Sequence, residues 1–381
     1  MPSRQNEALR PLLVLCSAII VCDTMFFAAL TPLLPDYADE LELSKAGAGV
    51  LQAAYPLGVL AGSIPSGYVA ARFGVKPTAV AALLLIAGTS VIFGYADSIG
   101  ALDLARFLQG VGGAFAWTAA MAWLIAVAPP NRRGQLIGTV FAVAIAGALL
   151  GPVLGAMASV LGTGPVFTAV GLVAIGVAIA ALLTATPPKG ERQPIAYLWA
   201  ALHHSRILGS LWLVALPALM FGTLTVLVPL RLSELGFAAA AISAVFIVSA
   251  VCEASLSPVM GRLSDRRGKR YPITIGLIAS AVATTALPWP QHGPVLAVVT
   301  VLAACAFGIF WAPAMSLLSD TSERIGLDVA WGFALANLAW APGQATGAAL
   351  GGTLARATAD ALPYLLLAGC CLATLALVRS A

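Results

Sequence analysis

The sequence predicts an all-α membrane protein of twelve transmembrane helices, arranged as two pseudo-symmetric six-helix bundles. Three observations predict it: an apolar composition, apolar runs of spanning length from end to end, and self-similarity at one constant offset. Of the 381 residues, 60% are hydrophobic and 9% charged, whereas a soluble domain carries about a quarter charged residues. Windows of roughly 20 apolar residues, enough to cross the hydrocarbon core, fall at 12–34, 47–71, 77–96, 104–127, 135–159, 163–185, 208–230, 238–261, 272–290, 294–318, 328–353 and 361–378. Their continuity argues for helices, since a transmembrane barrel shows ~10-residue alternating segments.

The first run follows Arg4 and Arg10 and has the look of a secretory signal. Its spanning length, its central acid and the lack of a small-residue cleavage site predict an uncleaved first helix. The six cysteines, Cys16, Cys22, Cys252, Cys305, Cys370 and Cys371, all lie inside predicted spans without metal-ligand spacing. They read as small apolar filler and carry no information about redox compartment.

Charge placement gives the orientation. With a cytoplasmic N-terminus and twelve crossings, the inner segments hold Arg4, Arg10, Arg72, Lys76, Arg132, Arg133, Lys189, Arg192, Arg206, Arg262, Arg266, Arg267, Lys269, Arg270, Arg324 and Arg379. The outer segments hold Lys45, Arg231 and Arg356, and Arg106 falls within a span. This positive-inside bias predicts that both termini face the cytoplasm.

Shifting the chain by 194 residues places Thr31, Pro35, Glu40 and Leu41 on Thr225, Pro229, Glu234 and Leu235. Gly67, Arg72, Gly74 and Lys76 fall on Gly261, Arg266, Gly268 and Arg270, Met121 on Met315, and Gly138 on Gly332. Each half has an even number of crossings, so the repeat is parallel, about an axis along the membrane normal. The expected domains are 1–186 and 207–381, joined by a polar, basic cytoplasmic linker, 187–206. Two such halves around a central cavity suit a transporter that rocks between two openings.

The fifth helix of each half carries one device. Gly147, Gly151 and Gly155 stand four apart beside Pro152, and Gly343, Gly347 and Gly351 stand four apart beside Pro342. Such a stripe lets helices approach closely, and the proline bends the helix. Simple packing explains it, and at an interface of moving halves it is also a sliding surface.

On these residues the chain resembles the major facilitator superfamily. GYVAARFGVK (67–76) and GRLSDRRGKR (261–270) resemble its loop signature, RFLQGVGGA (106–114) its fourth-helix motif, and GALLGPVLGAM (147–157) the fifth-helix signature of its antiporters. The stretch CDTMFFAALTPLLPDY is similar to the first helix of drug:proton antiporters and vesicular monoamine transporters, which carry an acid there. One departure stands out: the aspartate expected in the first loop motif is Ala71, while Asp265 is present in the second. A gating latch would then rest on the second half, with Gly67, Arg72, Gly74, Gly261, Asp265, Arg266, Gly268 and Arg270 as the gating set.

Asp23 is the most informative residue. A charged Asp at a helix centre costs roughly 2.5–3.5 kcal/mol on insertion scales, so it faces the protein interior or is neutral. Glu253, at membrane depth in the eighth span, is its candidate partner. Burial disfavours an ionised carboxyl and an arriving cation favours it. Proton and cation then compete for one group, the minimal chemistry of an antiporter; a structural acid bonded to a neighbouring helix is the plainer alternative. Arg106 sits a few residues inside the outer end of its helix, where snorkelling to the interface is open to it; the resemblance implies a role in proton coupling. Asn337, Trp340 and Gln344 follow at i, i+3 and i+7 on a polar-aromatic face. With Trp117 and Trp311 they are expected to line a pocket for cationic or aromatic substrates.

Catalytic motifs are missing from the sequence. His203, His204 and His292 lie in loops or at helix ends, and there is no His-Glu-x-x-His, Walker loop or nucleophile elbow. The expectation is therefore a gradient-driven exporter of small amphipathic or cationic compounds in exchange for protons, in the inner or plasma membrane. A metabolite exporter or proton symporter is the same-class alternative, and a membrane-embedded enzyme or channel the other. The expected partners are a small-molecule substrate, protons and the lipid bilayer, with the chain acting as a monomer; no nucleic acid, cofactor or metal is expected.

Overall fold

A computed structural model of the chain describes residues 2–129, 133–185, 193–327 and 329–380. These residues form thirteen helices: α1 (Pro2–Glu40), α2 (Lys45–Phe73), α3 (Val75–Gly94), α4 (Ile99–Val127), α5 (Arg133–Leu161), α6 (Thr163–Leu183), α7 (Ile195–Leu202), α8 (Ser205–Glu234), α9 (Ala239–Arg267), α10 (Arg270–Ala286), α11 (Gly293–Arg324), α12 (Val329–Ala357) and α13 (Ala361–Ser380). Among the described residues, ten helices are long and apolar enough to cross a membrane. Helices also occupy the remaining two expected spans, but α10 has only 17 residues, about 26 Å at 1.5 Å per residue. The other, α12, is a continuous helix of 29 residues that carries Asn337 and Gln344.

Part of the expected linker, 187–206, is helical. Within it, α7 buries Leu198 and Ala201 and exposes Tyr197 and Trp199. Only His203 and His204 separate it from α8. Lys189 and Arg192 of the linker, and Arg132 of an earlier loop, lie outside the described residues.

The chain divides into two compact units: residues 1–29 with 54–193, and residues 30–53 with 194–381. Both α1 and α2 are cut by this division, so the C-terminal end of α1 and the N-terminal end of α2 belong to the second unit.

In the first unit α3 packs against α4 and α6. Between α2 and α4 the backbones nearly touch. A methyl on Gly58 would collide with the Phe107 carbonyl, and one on Gly110 with the Tyr55 carbonyl. The α5 stripe lies on α1, with Gly147 against Thr24 and Gly151 against Ala28. Phe26, Phe93 and Phe167 form a buried aromatic cluster with ring centroids 4.9 to 5.9 Å apart.

In the second unit α10 packs against α11 and α13, and α8 against α11 and α12. Here the α12 stripe repeats the α5 arrangement: Gly343, Gly347 and Gly351 lie against Ala215, Leu219 and Thr223 of α8. The Thr223 hydroxyl donates to the Gly347 carbonyl at 2.9 Å. The N-terminal end of α2 joins this unit through Lys45, whose Nζ donates to both Asp360 oxygens at 2.7 and 2.8 Å. Glu234 lies 3.6 Å from the same nitrogen.

The 194-residue offset reappears in the backbone. Gly74 and Gly268 both take positive φ, 99° and 80°, and each ends the helix before a short turn. The turns after α1 and α8 also match: Leu43 N–H reaches the Ala38 carbonyl and Phe237 N–H the Leu232 carbonyl. Gly236 supplies the left-handed residue in the second turn, and Glu42 takes φ 50° at the equivalent place in the first. A left-handed non-glycine costs roughly 1–2 kcal/mol, so this turn repeats in shape although its residue does not.

Candidate functional site

The first unit buries a polar cluster around Asp23, which is 2% exposed. Three helices converge there. From α2, the Tyr55 hydroxyl donates to Asp23 Oδ1 at 2.6 Å. From α4, the Trp117 indole N–H donates to Oδ2 at 3.0 Å. Gly113, also on α4, makes room for the pair, because a methyl there would meet both Asp23 Oδ1 and the Tyr55 hydroxyl. Both carboxyl oxygens thus have a donor, as a buried acid requires.

Arg106 does not snorkel. It is fully buried, and its Nη1 and Nη2 donate to the Phe26 and Phe27 carbonyls of α1 at 3.2 and 3.1 Å. Its guanidinium carbon lies 5.1 Å from the Tyr55 ring centroid, 5.9 Å from that of Phe26 and 6.0 Å from that of Phe93, within cation–π range. Tyr55 therefore stands between charge and acid, its ring toward Arg106 and its hydroxyl on Asp23. Gln109 supports the arginine, accepting from Nη1 at 3.4 Å and donating to the Thr89 carbonyl at 3.3 Å.

Asp23, Arg106 and Trp117 are thus brought together. Both hydrogen-bond partners of Asp23 come from its own unit, whereas Glu253 lies in the second. There its side chain rests on Gly308 of α11, where a methyl would collide with Glu253 Cγ. Trp311, Asn337 and Trp340 are partly buried in the second unit and Gln344 is 3% exposed. Trp117 carries a role the sequence did not suggest, since its N–H is committed to the acid.

In the first loop motif Arg72 Nη1 donates to the Tyr68 hydroxyl at 3.2 Å. In the second, Arg266 and Arg270 are exposed, while Lys269 pairs with Asp320 and donates to the Ser316 carbonyl at 3.1 Å. Gly67 and Gly261 each lie six residues before the end of their helices, α2 and α9. The Asp265 side chain lies outside the described residues. Of the fifth-helix set, Gly147 and Gly151 make the α1 contacts, and Pro152 and Gly155 are buried beside them.

Sequence reading missed Tyr55, Gln109 and Gly113. The last two fall inside RFLQGVGGA, so the motif held a usable signal. Tyr55 had none: an aromatic before Pro56 in an apolar run looks like packing.

The Major Facilitator Superfamily profile matches residues 16–251 and 211–380. The chain belongs to this superfamily. An uncharacterized MFS-type transporter, C18.02 of Schizosaccharomyces pombe, is 24% identical over 328 residues, covering 73% of this chain and 70% of its own length. The MFS-type transporter ppzB of Metarhizium rileyi is 33% identical over 93 residues, 24% of this chain. That match spans only 19% of the fungal protein. The probable vesicular acetylcholine transporter-B of Danio rerio is 30% identical over 163 residues, 40% of this chain and 32% of its own length. Superfamily membership agrees with a multi-pass membrane protein, and the Asp23 cluster lies within the matched residues.

Proposed function

We propose that this transporter is a proton-coupled antiporter that exports small amphipathic or cationic compounds. It would work as two six-helix bundles, 1–186 and 207–381, in the cell membrane, with both termini in the cytoplasm. The observation that carries the reading is the Asp23 cluster: a fully buried acid in the first spanning helix, satisfied by two neutral donors instead of an ion pair. Tyr55 and Trp117 can hold the carboxyl without neutralising it, so its charge stays available to either a proton or a cation. Arg106, held by helix carbonyls, adds positive charge nearby without an ion pair to Asp23. Trp117 is partly exposed, so a substrate stacking on its face would perturb the hydrogen bond its edge makes to Asp23. That couples occupancy to the acid. Acetylcholine, a cation, is in the name of the Danio rerio relative, which agrees with a cationic substrate.

The test is purified protein in liposomes with an imposed pH gradient and a panel of cationic, neutral and anionic solutes. Cation movement against the proton gradient, abolished by a protonophore, is the expected result. Uptake running with the proton gradient, or transport of anions alone, would overturn the reading.

A further inference from the structure

The first unit also holds an open crevice of about 510 Å³ on the side of α1 away from the Asp23 carboxyl. Ala18, Val21, Cys22 and Met25 of α1 form one wall, at the i, i+3, i+4, i+7 spacing that marks a single helix face. Asp23 is about 100° further round the helix, and its carboxyl is committed to Tyr55 and Trp117. The other walls are apolar residues of α5 and α6, among them Leu154, Met157 and Val173. Among the described residues no charged side chain lines the crevice.

We infer that this crevice is a binding site for one acyl chain of a bilayer phospholipid. Its rim is continuous with a lipid-facing surface: Leu161 and Val173 of the lining, and Val160 and Leu172 beside them, are all more than half exposed in helices of spanning length. In a membrane the medium that meets these side chains is hydrocarbon, and an unfilled groove forfeits dispersion contacts along its walls. The volume suits the occupant. At about 30 Å³ per water-sized group it accepts some 17 methylenes, the length of a common fatty-acyl chain. A cationic substrate is disfavoured by the same lining, since nothing there compensates a charge. The site adjoins the α1–α5 seam, where Gly147 and Gly151 meet Thr24 and Ala28, so a seated chain steadies α5 against α1.

The experiment reconstitutes the full chain in phosphatidylcholine vesicles doped with a phospholipid whose acyl chain carries a photoreactive diazirine, and maps the labelled peptides. Labelling of 150–161 and 165–177 is expected to exceed that of the exposed α13 residues Leu372 and Leu377 several-fold. Ala169→Phe, an exposed lining position, and Ala18→Phe on the opposite wall should each lower it several-fold. Leu183→Phe, on α6 but outside the crevice, should leave it unchanged. Even labelling of all outward-facing helices, insensitivity to both filling variants, or displacement of the label by a transported cation would each overturn the assignment.

Discussion

The two acids that lie within helices of spanning length are held in opposite ways. Asp23 has a donor on each oxygen, a glycine cut to its shape and an arginine one ring away. Glu253 is half-buried against Gly308, and among the described residues no hydrogen bond reaches its carboxyl. The repeat explains part of the contrast. Gly58 and Gly110 lock α2 to α4 in the first unit, and the positions 194 residues on are Cys252 and Ala304. The α9–α11 contact thus lacks that glycine pair, and Glu253 occupies it with its long stem over Gly308. Asp23, with a donor on each oxygen, has a fixed geometry, whereas Glu253 is held among the described residues by packing alone.

The largest expected difference is between the amides. Asp23→Asn can keep the Trp117 bond only by turning its NH₂ toward the Tyr55 hydroxyl, which must then accept instead of donate, leaving the buried Tyr55 proton without its partner at a cost of about 1–3 kcal/mol. The variant should lose thermal stability and at least tenfold in pH-driven transport. Glu253→Gln disturbs no donor; it should keep its melting temperature and lose transport only partly. Equal melting temperatures for the two variants would erase the contrast.

The glycines sharpen the comparison. Gly113→Ala places a methyl between Asp23 and Tyr55, both fixed by their hydrogen bond, and should approach the Asp23→Asn defect. Gly308→Ala meets the flexible Glu253 stem, which can shift, and should cost less, about 1 kcal/mol. A Gly308→Ala defect as large as that of Gly113→Ala would show Glu253 to be equally preorganised. Thermal melts and vesicle transport read both.

Smaller effects follow at the donors. Tyr55→Phe keeps the ring under Arg106 and removes the hydroxyl, so transport should slow several-fold with Arg106 still seated. Trp117→Phe keeps an aromatic face but not the N–H. It should retain substrate affinity within a few-fold while loosening the ratio of protons exchanged per substrate. If Trp117 only lines a pocket, affinity will fall and the ratio will stand.

The smallest effect belongs to the ion pair that Lys45 makes within the second unit. Lys45 is partly exposed, and exposed ion pairs contribute about 0–1 kcal/mol, so Lys45→Met should barely move the melting temperature. With the native thiols removed, Lys45→Cys should label from outside and Gln193→Cys from inside, which checks the charge-based orientation.

Most helices were legible because spanning length and apolar continuity are local properties, and the repeat was legible because a constant offset needs no structure. Asp23 stood out for the same local reason, a lone acid in an apolar run. Its surroundings were not legible. Tyr55 and Trp117 lie 32 and 94 residues away in helices whose facing direction the sequence leaves open, and Arg106 was ambiguous because position along a helix does not say which way a side chain turns. The α7 helix was hidden by its polar flanks, with a core of only eight residues.

The most direct test of the account is substrate binding against pH for the wild type and Asp23→Asn, measured in detergent with a transported cation. Proton and cation should exclude one another at Asp23, so wild-type binding should weaken as pH falls through the titration of that carboxyl, whereas the amide variant should bind weakly and independently of pH. An Asp23→Asn protein with wild-type affinity and wild-type pH dependence would reduce the acid to a packing element and contradict the account.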